Sequence, residues 1–373
     1  MRIVPIEYIP TNAILADTLY TLDGRILLKE GATLTARIIE KINANSIFTV
    51  YIHDEHCDNK IQHLIDPHLR HQGMMLIKDI FNAAGYRDAQ GEWMPKSIFE
   101  YMDALNKMAD DILDELKNTK DAQLESLDIK NAENYLFSSA INTAILSVLI
   151  GWEVGLNSEM IRQLFIGAIF HDIGMALLDP AVTYKRGELT REEKIAVLMH
   201  PKKGHAYLKV HTFFSAYVKA IALQHHEYLD GTGYPNRVNT DSIHLLSQIV
   251  GIADVYDAMT SDRPYRRALT AIEAIEYIMA GAGRRYAMDL VNIFVKKVNP
   301  YPRGSLVKLS TGQIAVVDYV PKGFPLRPDI RIIRGEKGDY EYESLSLREN
   351  NNITISELYF GTEILTETFS GSR

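Results

Sequence analysis

Six imidazole and carboxylate side chains recur beside apolar runs in the middle of the chain, and their types suit metal binding. They are His171 and Asp172 after the run LFIGAIF, His200 in MHPKKG, the consecutive pair His225 and His226, and Asp254 in GIADVYDAMT. Burying imidazoles and carboxylates among apolar helices is costly unless a partner satisfies them. A divalent metal is such a partner, so the sequence predicts a metal centre built from these residues.

The chemical types of the donors indicate which metals and which class of reaction to expect. Neighbouring side chains on a helix differ by about 100° in direction, so His171 and Asp172 converge only on a partner placed between them. Imidazole nitrogens combined with carboxylate oxygens favour iron, manganese or zinc over magnesium or calcium. Asp172 can bridge two ions, and paired metals activate water for attack on a phosphoester. Metal-dependent phosphoester hydrolysis is therefore the expected reaction class.

The same residues lie in four strings that together resemble one known family. The strings are HDIG at 171–174, HPKKG at 200–204, HHEYLDGTGYP at 225–235 and ADVYDAMTSDRPYR at 253–266. Their order and spacing are similar to those of HD-GYP domains. The resemblance implies an HD-type helical bundle, a centre of iron or manganese, and hydrolysis of the bacterial second messenger cyclic di-GMP. It also implies metal-ligand roles for His171, Asp172, His200, His225, His226 and Asp254, with Asp172 as the catalytic bridge.

Two positions near this centre depart from the family's pattern. The family carries a further histidine ligand in a string like YRHSxNVA, whereas this chain reads FSSAINTA and has Ser139 at that position. A hydroxyl is a poorer neutral ligand than an imidazole. Lysine usually follows HDIG, whereas Met175 follows here, which removes a cation near the scissile phosphate. We therefore expect one or two ions per chain and weakened phosphodiesterase activity.

The substrate side of the centre is better preserved. Glycines beside Tyr234 let the loop backbone approach a ligand closely, and in the family this loop supports the pocket and partner contacts. Arg263 and Arg266 follow Asp254 at near-helical spacing, and guanidinium groups match phosphate geometry. Tyr234, Arg263 and Arg266 are thus the predicted contacts to cyclic di-GMP or a related cyclic dinucleotide. The same loop is the predicted surface for a protein partner.

Composition limits the other classes of function. A chain of 373 residues with net charge −8 argues against binding a nucleic-acid polymer, which needs a basic surface. Its single cysteine, Cys57, cannot form an internal disulfide, which favours the cytoplasm. Polar residues interrupt the most apolar helix, so no membrane span is expected. A homodimer remains compatible with the sequence.

The change of residue pattern along the chain predicts a multi-domain, mainly α protein. Residues 1–56 mix a hairpin, a helix and a closing strand, typical of a small α+β domain, and residues 57–130 indicate a polar helical connector. Residues 131–299 hold the apolar helices with the HD-GYP strings. Residues 300–373 contain short β-rich runs such as QIAVVDYV and DIRIIRG, which predict a small all-β domain.

A second function fits the same residues. A protein that keeps the HD-GYP fold and binds a cyclic dinucleotide without turnover, or acts as an adaptor, would also retain the arginines and the Gly-rich loop. A purely structural role would predict no bound metal at all. Ser139 discriminates these hypotheses, because histidine at this position would restore metal and hydrolysis if only a ligand were missing.

Overall fold

The computed structural model describes residues 1–21, 25–45, 47, 49–56, 63–119, 124, 135–185, 187–239, 242–261, 268–336 and 339–361. It divides into two compact units. The terminal unit combines residues 1–62 with 298–373, and the central unit comprises residues 63–297.

The N-terminal part of the terminal unit has the predicted α+β character. Its elements are β1 (Arg2–Pro5), β2 (Ala13–Ile14), β3 (Leu19–Tyr20), β4 (Ile26–Leu28), β5 (Thr33–Leu34), α1 (Ala36–Ala44) and β6 (Thr49–Ile52). β1 pairs antiparallel with β6, and the strand pairs β2–β5 and β3–β4 are also antiparallel. Val4 and Val50 are fully buried on β1 and β6. Alternation of β-branched residues therefore builds this small core.

The central unit is helical. Its helices are α2 (Pro67–Ala84), α3 (Met102–Asn118), α4 (Tyr135–Val154), α5 (Ser158–Phe170), α6 (Pro180–Thr183), α7 (Arg191–Leu198), α8 (His200–His211), α9 (Ala216–Gln224), α10 (Leu245–Met259), α11 (Ala271–Ala280) and α12 (Met288–Lys297). Two short 3-10 helices lie among them, one at Phe99–Tyr101 before α3 and one at Ile173–Leu177 after α5. α4 is mostly apolar, is buried along most of its length and packs against α2, α5, α10 and α12. A helix buried on nearly every face belongs in a core.

Two stretches of the central unit are long and apolar enough to cross a membrane by composition. They are Tyr135–Val154 and Ser158–Leu177, and 83% and 72% of their most apolar windows are buried inside the protein. Such burial is expected of core helices.

The helices that the sequence assigns to a connector belong to the central unit. Asp66 caps the start of α2 by accepting hydrogen bonds from the amides of His68 and Leu69. At the other end, a Cβ on Gly85 would lie 2.3 Å from the carbonyl oxygen of Ala176, so only glycine permits this close approach. Ile77, Ile80 and Phe81 are buried along α2. The predicted boundary at 130/131 lies outside the described residues.

The C-terminal part of the terminal unit is a small sheet, as predicted. Its strands are β7 (Leu306–Leu309), β8 (Ile314–Tyr319), β9 (Asp329–Glu336), β10 (Asp339–Ser346) and β11 (Ile355–Leu358). All neighbours in the order β10-β9-β8-β7-β11 are antiparallel. Leu306, Ile314, Val316 and Ile333 form a buried cluster on this sheet. The sequence runs predicted β7 to β10, whereas β11 was missed because its segment is short and polar.

Candidate metal centre

Two glycines bring the helices of the centre together. Asp172 precedes the 3-10 helix that follows α5, and a Cβ on Gly174 in that helix would lie 2.0 Å from the carbonyl oxygen of His200. A Cβ on Gly251 in α10 would likewise lie 2.5 Å from the carbonyl oxygen of His225. Any side chain at either position would push the histidine backbones away. These glycines therefore set the spacing of the centre.

Four of the six predicted ligands form what we call the four-donor side: Asp172, His200, His225 and His226. Their ligand atoms all lie within 4.8 Å of one another. Asp172 Oδ1 lies 2.9 Å from His200 Nε2 and 3.6 Å from His225 Nε2. Two imidazole nitrogens 3.3 Å apart, those of His200 and His225, face the same space. One ion at this point would be within reach of all four donors.

The remaining ligands form what we call the three-donor side: His171, Asp254 and the shared His225. His171 Nε2 lies 3.5 Å from Asp254 Oδ1 and 3.7 Å from Asp172 Oδ2. His226 Nδ1 lies 3.8 Å from the second oxygen of Asp254, which links the two sides. The structure thus brings together all six residues that the sequence singled out.

The hydrogen bonds of the histidines orient them for a metal. His171 donates through Nδ1 to the carbonyl of Ala168 at 2.6 Å, and His200 does the same to Val197 at 2.7 Å. A carbonyl oxygen only accepts, so each Nδ1 carries a proton and each Nε2 faces the centre. The Nε2 atom of His171 is buried with no hydrogen-bond partner among the described residues. A divalent cation that replaced the proton on this nitrogen would give it a partner.

The local electrostatics follow from burial and close charges. Burial acts to lower the pKa of His171, but the carboxylates of Asp172 and Asp254 outweigh it and raise that pKa to about 9. Burial acts to raise the pKa of Asp172, but His171 and His200 hold it well below its ordinary value. Burial lowers the pKa of His226 well below its ordinary value. Burial acts to raise the pKa of Asp254 as well, but His171 lowers it. The carboxylates are thus charged and His226 is neutral, and a bound divalent cation would have to displace the proton that the carboxylates favour on His171.

Ser139 lies beside the centre but its hydroxyl is engaged elsewhere. Its Oγ donates to Oδ2 of Asp257 at 2.6 Å, and the Asn142 side-chain amide donates to Oδ1 of the same carboxylate at 2.8 Å. The side chain of Arg70 on α2 in turn donates to Asn142 Oδ1. Asp257 is 1% exposed, so these hydrogen bonds stabilise a buried carboxylate.

This network was missed from the sequence. Asp257 follows Asp254 by three residues and Asn142 follows Ser139 by three, so each pair lies on one helix face. That spacing was the available signal.

The Gly-rich loop places Tyr234 against the four-donor side. The tyrosine ring stacks on the ring of His226, with centroids 4.5 Å apart and an angle of 26° between the planes. Glu227 anchors the loop, because its carboxylate accepts hydrogen bonds from the amides of Asn236 at 2.6 Å and Val238 at 3.2 Å. Arg263 and Arg266, the predicted phosphate contacts, lie outside the described residues.

Comparison with protein families identifies the central unit. Residues 128–290 match the family described as HD domain, and residues 306–367 match the family described as KOW domain associated with HD domain. Residues 128–290 of the central unit are thus similar to HD domains. The resemblance to HD-GYP proteins drawn from the sequence is therefore confirmed for this segment.

Several curated proteins are similar to this HD-domain chain. A cyclic di-GMP phosphodiesterase of Pseudomonas aeruginosa is 35% identical over 214 residues, covering 56% of this chain and 51% of that protein. One of Borreliella burgdorferi is 27% identical over 238 residues, covering 63% and 62%. A 3'3'-cGAMP-specific phosphodiesterase of Vibrio cholerae is 33% identical over 141 residues, covering 38% and 32%. The chain thus spans between about one third and two thirds of the length of these relatives.

Proposed function

We propose that this protein is a metal-dependent phosphodiesterase that hydrolyses cyclic di-GMP or a related cyclic dinucleotide. The observation that carries the proposal is the convergence of four imidazoles, three of them buried, and two carboxylates, with the Nε2 atoms of His171 and His200 turned toward one space. The names of the relatives support the substrate class. Iron or manganese is the proposed metal, because mixed nitrogen and oxygen donors suit these ions.

The six predicted ligands and Tyr234 would have distinct roles in this reaction. The carboxylate of Asp172 would bridge two ions, and His171 and Asp254 would hold one of them. Bound ions would supply an activated water and neutralise phosphate charge. His200, His225 and His226 complete the donor set on the far side of Asp172. Tyr234 covers His226, which limits access of bulk water on that side.

Arg263 and Arg266 remain the proposed holders of the substrate phosphates. Guanidinium groups suit this role because they bind phosphate oxygens in pairs. Their place in the string that begins at Asp254 supports the assignment.

We propose further that activity is weakened relative to family members with a full ligand set. The hydroxyl of Ser139 donates to Asp257, so the three-donor side lacks a strong fourth ligand. Met175 offers no charge to the phosphate, and its side chain is only 8% exposed. The second candidate function, a cyclic-dinucleotide-binding protein or adaptor without turnover, is favoured by the same two observations.

Metal content and hydrolysis of anaerobically purified protein test the proposal. With added Mn²⁺ or Fe²⁺, the expected result is at least one bound ion per chain and measurable hydrolysis of cyclic di-GMP. The double substitution Ser139→His, Met175→Lys should raise the hydrolysis rate. A double variant that stays inert while the protein still binds cyclic di-GMP would contradict the enzyme and support the binding protein.

Cellular location and assembly are also proposals. The single cysteine and the buried apolar helices support a cytoplasmic protein. We propose the Gly-rich loop around Tyr234 as a surface for a protein partner, and a homodimer as the assembly to test by light scattering.

A further inference from the structure

A small cavity lies beside the metal centre, at the meeting of α2, α4, α6 and the 3-10 helix at 173–177. Its volume is about 100 Å³, and its lining includes Phe81, Phe137, Met175, Ala176, Asn82 and Tyr184. Pockets that enclose a whole drug-sized ligand measure roughly 300–1,000 Å³, so this cavity is too small for a complete dinucleotide and could receive only one end of it.

Two elements connect the cavity to the metal centre within one helical turn. The amide of Met175 donates to the carbonyl of Asp172 at 2.9 Å, and side chains three residues apart eclipse each other in a 3-10 helix. On α4, the cavity residue Leu136 precedes Ser139 by three residues and shares its helix face. The cavity wall thus lies one helical turn along the chain from Asp172 and from Ser139.

The walls of the cavity are aromatic and held in place. The rings of Phe81 and Phe137 meet edge to face with centroids 5.9 Å apart. Phe81 also stacks at 6.4 Å on Phe170, the residue before His171. Gly85 contacts the backbone of Ala176, which fixes α2 against the 3-10 helix. Rigid aromatic walls suit a planar ring, because stacking requires little rearrangement.

The rim of the cavity is polar. Asn82 is exposed and Tyr184 is 46% exposed, and both line the cavity. Thr183 Oγ1 donates to the carbonyl of Met175 at 3.1 Å, which leaves its lone pairs to accept. Donors and acceptors around an apolar slot match the edge of a heterocyclic base.

From these observations we propose that the cavity binds one purine base of the cyclic dinucleotide. The inference rests on the proposed function, since it assigns a subsite of the same substrate. It also gives Met175 a role, because a polarizable thioether packs well against an aromatic ring. Met175 would thus form part of the wall that the base contacts.

Two probes that differ by the base test the subsite on the full-length, manganese-loaded protein. GMP and ribose 5-phosphate share a ribose phosphate, and neither is a phosphodiester, so calorimetry measures their binding without turnover. The native protein should bind GMP at least about tenfold more tightly, as expected for one stacked base. Ala176→Leu, which fills the slot, should remove that preference.

Matched variants separate the subsite from general damage. Ala181→Leu makes the same change on an exposed face of α6 outside the cavity and should keep the GMP preference. Asn82→Ala at the rim should reduce GMP affinity several-fold. This variant replaces Ala176→Leu in the test if Ala176→Leu has a lower melting temperature than the native protein.

The possible results separate the subsite from the reaction. A native protein that binds GMP no more tightly than ribose 5-phosphate overturns the base subsite, as does a preference that survives both Ala176→Leu and Asn82→Ala. Hydrolysis of bis(p-nitrophenyl) phosphate, which carries no base, reports on the metal centre alone and is measured in parallel with hydrolysis of cyclic di-GMP. Absence of hydrolysis with a GMP preference that the variants remove would support the subsite and contradict the proposed enzyme.

Discussion

The two sides of the candidate centre share a scaffold but differ in how complete they are. On the four-donor side, three histidines and Asp172 place their ligand atoms within 4.8 Å of one another. On the three-donor side, His171 and Asp254 share His225, and the nearby Ser139 donates its hydroxyl proton to Asp257 instead. One side is therefore built as a strong site for an ion and the other as a weak one.

This difference shows how one position can change a centre without changing the fold. Ser139 is well placed in the core because Asp257 needs a donor, and Asn142 supplies the other one. Burial of a carboxylate without hydrogen-bond donors destabilises the folded protein. The serine thus has a structural role that does not depend on metal.

The largest expected effect comes from Asp172, which touches both sides. Asp172→Asn keeps the shape but removes the charge, so we expect metal content to fall and cyclic di-GMP hydrolysis to drop by about a hundredfold or more. Elemental analysis and product chromatography measure both. Asp289→Asn, an exposed change on α12, is the control. Unchanged metal content in Asp172→Asn would remove Asp172 from the ligand set.

Ser139→His should make the two sides alike. A fourth ligand on the three-donor side should raise the bound metal toward two ions per chain and increase hydrolysis by about tenfold. Elemental analysis against protein concentration gives the stoichiometry. Ser138→His places the same side chain at the neighbouring position, on another part of the helix surface, and should leave the stoichiometry as it was. If both variants bind equal metal, position 139 is not directed at the centre.

Removal of the metal should destabilise the central unit. At a free metal concentration of 100 times the dissociation constant, a bound ion contributes about 2.7 kcal/mol to the free energy of unfolding. A chelator should therefore lower the melting temperature of the native protein by several degrees. Calorimetry on Asp172→Asn should show little change with chelator. An equal shift in both proteins would place the stabilising ion elsewhere.

Ser139→Ala should give the smallest effect and separate the two roles of this residue. Loss of the hydrogen bond to buried Asp257 should lower the free energy of unfolding by about 1–3 kcal/mol, measured by urea denaturation. Metal content should stay as in the native protein, because the hydroxyl is directed at Asp257. A fall in metal content would instead identify Ser139 as a ligand.

Much of the centre could be predicted from residue types and spacing. Histidines and carboxylates beside apolar runs need a common partner wherever the helices meet, so the six ligands were predictable before the helix packing was known. The C-terminal sheet was predictable for a similar local reason, because β-branched alternation and turn residues act over short distances.

The sequence by itself determined the donors of the centre, the departures at Ser139 and Met175, and the helical or β character of most segments. Only the tertiary structure decided what those departures do. Ser139 meets Asp257 from a helix more than a hundred residues away along the chain, and Met175 joins Phe81 and Phe137 around a cavity. Such contacts depend on how helices cross, which is set by packing of whole surfaces rather than by local sequence.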